Sequence, residues 1–152
     1  MKKCNCGSYY ELPTLCHIET TYLCNQNCIF CYNPRRAEKV NYEKLDAIVD
    51  SVARAKVPHV YISGGEPSML KLDKLNGYIE KLSLNSSVTV LTNGFITMKG
   101  LNKKIACLGV PIHGSNATEH ESMTGLKGSF EKMKESVRYY VSRKQTSQRT
   151  QR

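Results

Sequence analysis

Cys24, Cys28 and Cys31 fall within one short stretch, Cys24-Asn25-Gln26-Asn27-Cys28-Ile29-Phe30-Cys31. Three thiolates on a compact loop can ligate three corners of a cubane iron–sulfur cluster. The fourth iron is then open to a substrate or cofactor, by the logic that separates catalytic from structural zinc. A pure electron carrier would normally take a fourth thiolate. Two other uses fit the same spacing. The triad could hold structural zinc with Cys4, Cys6, Cys16 or His17 as a further ligand, or a ferredoxin-type cluster with the same helpers. Plain burial fits poorly beside the polar Asn25, Gln26 and Asn27. On spacing alone, zinc and iron–sulfur stand level.

The rest of the chain narrows the setting. Its 152 residues suit one domain with one sizeable core, and 40% hydrophobic with 23% charged residues is ordinary for a globular protein. No apolar run approaches the length of a membrane span, so no membrane partner is expected. Met1-Lys2-Lys3 is not followed by an apolar segment, so no signal peptide is expected and the cytoplasm is the default compartment. In that reducing setting, clustered cysteines more often bind metal than form disulfides. The formal charge of +9 comes partly from Arg138, Arg143, Lys144, Arg149 and Arg152, which no carboxylate after Glu135 offsets. Without aromatic–basic interleaving or a nucleic-acid motif, nucleic acid is not expected as a partner.

Elements able to position the cysteines alternate along the chain. Strands are predicted over Cys16 to Leu23, Val60 to Ile62, Val88 to Leu91 and Cys107 to Ile112, from β-branched content and sharp polar endings. Helices are predicted from about Tyr42 to Ala55 with Asn41 as N-cap, through Leu72, Leu75, Ile79 and Leu82, and from Ser129 through Phe130, Met133, Val137 and Val141. A short, weak helical stretch is predicted around Met98 to Ile105. This alternation predicts an α/β fold with a parallel sheet of about four βα units, a partial TIM-type barrel. In such folds chemistry sits where strands end. The cysteine cluster, Gly64-Gly65-Glu66-Pro67, Thr92-Asn93-Gly94 and His113-Gly114 all fall there. Three regions are expected: an extension over 1–15, a core over 16–144 and a disordered polar tail over 145–152.

The cysteine stretch, followed after a helix by Tyr61-Ile62-Ser63-Gly64-Gly65-Glu66-Pro67, resembles the radical SAM superfamily. That family carries CxxxCxΦC, with an aromatic before the third cysteine as at Phe30, and a Gly-Gly-Glu-Pro at the end of the second strand. Thr92-Asn93-Gly94, Ile112-His113-Gly114, Glu119 to Gly125 and Gly128 to Lys132 also look like parts of its core. The resemblance covers about Cys16 to Lys144.

It implies a [4Fe–4S] cluster on Cys24, Cys28 and Cys31 whose open iron chelates S-adenosylmethionine. One electron, from a reductant such as a flavodoxin or ferredoxin, would cleave the sulfonium bond. The resulting 5′-deoxyadenosyl radical would abstract hydrogen from a substrate, by analogy a peptide or cofactor precursor. Gly64 and Gly65 would let backbone approach the methionine portion. Glu66, with Pro67, would hold the loop or face the amino group. Phe30 would lie against adenine, and Thr92 and Asn93 would line the pocket. The resemblance departs in two places. Pro111 stands where many members have a serine that contacts SAM. Four βα units stand where members usually have six, so the chain reads as C-terminally truncated. A non-catalytic metal-binding domain or partner subunit, and a nonfunctional gene fragment, are the alternatives. The roles of Cys4, Cys6, Cys16 and Cys107 are not assigned.

Overall fold

Alternation of apolar and polar residues in Leu15–Glu19 (β1), His59–Ser63 (β2) and Ser87–Leu91 (β3) gives each strand one face that must leave water. The computed structural model describes residues 13–33 and 36–149, with side chains to 143. With Cys107–Gly109 (β4), these strands form one four-stranded parallel sheet in the order β1-β2-β3-β4. The register places Glu19 opposite Ser63, Ile62 opposite Val90 and Leu91 opposite Gly109. All strand C-terminal ends therefore share one rim.

Ile18, Val60, Ile62, Val88 and Val90 form the buried face. Tyr42–Ala55 (α1) and Leu72–Leu82 (α2) cover it with Leu45, Val49, Leu75, Ile79 and Leu82. The Asn41 side chain caps α1 by accepting from the Lys44 N–H at 2.9 Å, as predicted. Asp46 pins α1 to α2, accepting from the Tyr78 hydroxyl at 2.5 Å and from Lys74 at 3.0 Å. The opposite face of the sheet carries His17, Glu19 and Tyr61, all exposed.

The structure corrects several boundaries. β1 ends at Glu19 instead of Leu23, because residues 20–23 turn to pair with the end of β2: the Thr20 N–H donates to Ser63 O and the Gly65 N–H to Thr21 O. β4 ends at Gly109 instead of Ile112; Pro111 has no N–H for a ladder. The stretch Met98 to Ile105 is not helical. Gly100 takes a φ of +91°, and Met98 and Leu101 reach the core from turns. Ala117–Thr124 (α3) is a helix that apolar periodicity did not reveal. Ser129–Arg149 (α4) continues past Lys144, the end predicted for the core region, with neither glycine nor proline to stop it. Residues 1–12, expected as part of an extension, and 150–152 lie outside the described residues. Among the described residues no helix is long and apolar enough to cross a membrane.

Candidate functional site

The cysteine loop is built on the turn that follows β1. Gly65 and Glu66 donate their backbone N–H groups to Thr21 O at 2.5 Å and Leu23 O at 2.9 Å. These bonds set the Gly-Gly-Glu-Pro turn directly against the chain entering Cys24. Both glycines are required by that approach. A Cβ on Gly64, whose φ is +125°, would stand 2.6 Å from Thr21 O, and one on Gly65 would stand 2.3 Å from Leu23 O. The two glycines thus serve a close backbone-to-backbone contact within the protein.

Glu66 holds the next layer. It is 1% exposed. Its Oε1 accepts from the Ser68 N–H at 2.9 Å and the Thr92 hydroxyl at 2.5 Å, and its Oε2 from the Asn93 N–H at 2.7 Å. Asn93 in turn donates from Nδ2 to Asn25 Oδ1 at 2.8 Å, bringing the end of β3 to the cysteine loop. Pro67 is buried and opens a short 3₁₀ turn over Pro67–Met69.

From the other side α3 grips the loop. The Asn27 and Ile29 N–H groups donate to Thr124 O and Met123 O, each at 3.0 Å. Gly125 closes α3 with φ +64°, and a Cβ there would stand 2.6 Å from Asn27 O. Asn25, Met123 and Thr124 are site-building residues that sequence reasoning did not single out. The Asn116 cap and the Gly125 stop were the available signals for α3.

The three cysteines are free and half-buried. Cys24 and Cys31 accept at sulfur from the N–H groups of Gln26 at 3.5 Å and Asn33 at 3.4 Å. Burial pushes the Cys24 and Cys28 thiols up, and neighbouring cysteine charge adds to it. The Arg36 guanidinium pulls both back toward the thiolate. Among the described residues no three His, Cys, Asp or Glu side chains converge to hold one metal ion. A cubane asks for less convergence, since each thiolate bonds a different iron. Backbone N–H groups on two sulfurs and free thiols on one loop fit such a cluster.

Phe30 is 52% exposed, and its ring lies 4.7 Å from that of His113. His113 continues to His120, with ring centres 5.7 Å apart. His120 is 1% exposed and accepts at Nδ1 from the His113 N–H at 3.2 Å. Burial, and then the charge of His113, hold its pKa below the ordinary histidine range against an opposing pull from Glu121. The unfolded chain thus takes up a proton that the folded chain does not as pH falls below about 6.5, so this residue's contribution to stability is lost downward through that window. Urea midpoints at pH 7 and 5.5 should fall more for wild type than for His120→Gln; equal falls would remove His120 from the account.

The comparisons with known proteins agree with this architecture. The profile of the radical SAM superfamily matches residues 18–150, and the chain belongs to that superfamily. Members of the family use a [4Fe–4S] cluster and S-adenosylmethionine. Fe-coproporphyrin III synthase of Methanosarcina barkeri is 28% identical over 121 residues, covering 73% of this chain and 30% of the relative. The sporulation killing factor maturation protein SkfB of Bacillus subtilis is 26% identical over 139 residues, covering 84% and 32%. The chain thus spans about a third of the length of these curated relatives. Among solved structures, SuiB of Streptococcus suis bound to precursor peptide SuiA superposes with a TM-score of 0.59. It is 19% identical over 76% of this chain and 28% of that one. That likeness supports the partial TIM-type barrel as the fold.

Proposed function

We propose that this chain binds a [4Fe–4S] cluster through Cys24, Cys28 and Cys31, binds S-adenosylmethionine beside it, and cleaves it reductively to take a hydrogen atom from a substrate. The observation that carries this is the seating of the free cysteine triad on the Gly64-Gly65-Glu66-Pro67 turn at the C-terminal rim of a parallel sheet. When bound, the two cofactors supply one-electron cleavage of a carbon–sulfur bond and an acceptor for a hydrogen atom.

The protein's own residues hold and orient. Gly64 and Gly65 let the turn nest under the cysteine loop. Of the two roles open to Glu66, the geometry supports holding the loop, because both its oxygens are engaged within the protein. Thr92 is 2% exposed and serves Glu66. Asn93 ties β3 to the cysteine loop. Phe30 offers an exposed ring beside Cys31 that suits adenine.

A polar substrate fits the uncovered sheet face. There His17 pairs with Ser63, and Glu19 accepts from the Tyr32 hydroxyl, a bond that pushes this phenol up to about 12. A peptide or a polar cofactor precursor suits such groups, with a flavodoxin or ferredoxin as electron donor.

The test is anaerobic reconstitution with iron and sulfide, then dithionite and S-adenosylmethionine, with 5′-deoxyadenosine measured. Iron and sulfide near four each, with 5′-deoxyadenosine formed, is expected. No iron uptake sinks the cluster, and uptake without 5′-deoxyadenosine sinks the cleavage.

A further inference from the structure

Gln26 lies midway between two of the proposed ligands and is 5% exposed. Its Oε1 accepts from the Cys28 thiol at 3.5 Å. Its Nε2 is buried and, among the described residues, has no hydrogen-bond partner. A buried amide nitrogen without an acceptor calls for an explanation, since nearly all such groups are paired. The explanation lies one bond away. A cysteine that binds iron does so as thiolate and has no proton to donate. Oε1 then loses the one donor it has among the described residues and faces a sulfur rich in lone pairs, while Nε2 still has no acceptor among them.

We propose that in the cluster-loaded protein the Gln26 amide is turned over, so that Nε2–H donates to the Cys28 sulfur and helps set the reduction potential. The turn is a half rotation about the terminal side-chain torsion, which is broad and nearly two-fold. It needs no backbone movement, and it satisfies the nitrogen while ending the contact of two acceptors. A donor on a ligand sulfur stabilises the more negative, reduced cluster and raises its potential. Gln26 is therefore a positioning residue that acts through Cys28. The inference rests on the cluster assignment made above.

Two measurements on reconstituted protein decide it. The first is an EPR-monitored redox titration of wild type and Gln26→Leu. At a fixed ambient potential the reduced-to-oxidised ratio should fall about tenfold in the variant, a downward shift of ~59 mV for one electron. An unchanged potential overturns the inference.

The second uses wild type alone, so it does not depend on how the variant folds. Protein labelled with side-chain amide nitrogen-15 glutamine is reduced and examined by pulsed EPR. The other glutamines, Gln145, Gln148 and Gln151, all lie beyond residue 144 in the chain. A nitrogen-15 coupling to the reduced cluster is expected, and its absence overturns the inference. Iron analysis before either measurement separates the two levels: wild type without iron defeats the cluster assignment, whereas loaded wild type with no coupling defeats only the role of Gln26.

Discussion

Alanine at Cys24, Cys28 or Cys31 is expected to cut iron bound after reconstitution from about four per chain to background, and with it any 5′-deoxyadenosine formed. In the proposed site each thiolate would hold a separate corner, and among the described residues no group of three His, Cys, Asp or Glu side chains offers a substitute. The loop itself should survive. Its shape comes from backbone bonds to residues 65, 66, 123 and 124 through Thr21, Leu23, Asn27 and Ile29, none of which uses a cysteine sulfur. Urea unfolding free energies of the apo variants should stay within ~1.5 kcal/mol of wild type, the worth of the one hydrogen bond made at each sulfur. Cys107, exposed on β4, and Cys16, at the edge of the core, serve as controls and should load normally when changed to alanine. Full iron binding by any of the three loop variants would remove that cysteine from the site.

Glu66→Ala is expected to destabilise the protein by about 3–5 kcal/mol, the largest effect of any single truncation at this site. The side chain is fully buried and takes three donors, the Ser68 and Asn93 N–H groups and the Thr92 hydroxyl. Truncation leaves all three donors without the carboxylate in a buried space. Against a total stability of roughly 5–15 kcal/mol this is a large fraction. Glu66→Gln keeps one acceptor oxygen but turns an NH₂ toward a donor, so it should fall between wild type and alanine. Urea unfolding with an unchanged slope checks this. A loss under 1 kcal/mol for alanine would mean that water replaces the carboxyl group and that Glu66 does not organise the turn.

Features that repeat were readable from the sequence, and features that do not were missed. The apolar spacing of Leu45, Val49, Leu75 and Ile79 marks α1 and α2, and the short β-branched runs mark β2 and β3 closely. α3 was missed because it buries His120 and Thr124, not a stripe of aliphatic residues. Met98, Leu101 and Ile105 have helix-like spacing, yet they face the core from turns that Gly100 permits. At the site, the cysteines and the glycine pair declared themselves by type and spacing. That Glu66 spends both oxygens inside the protein depends on Thr92 and Asn93 arriving from another strand, and no local pattern encodes that meeting. The grip of Met123 and Thr124 on the loop runs through backbone carbonyls, which any residue could supply.

The sheet order β1-β2-β3-β4 is also the order in which a ribosome makes the strands. Each new strand therefore emerges to find its partner already present, and the sheet can grow at one edge during synthesis. The cysteine loop does not share this smooth schedule. Its first anchors, Gly65 and Glu66, follow it closely, whereas Met123 and Thr124 come much later. At roughly 5–20 residues per second, several seconds separate the two sets. For that interval the nascent chain carries three thiols on a loop fastened at one side only, open to whichever metal reaches it first.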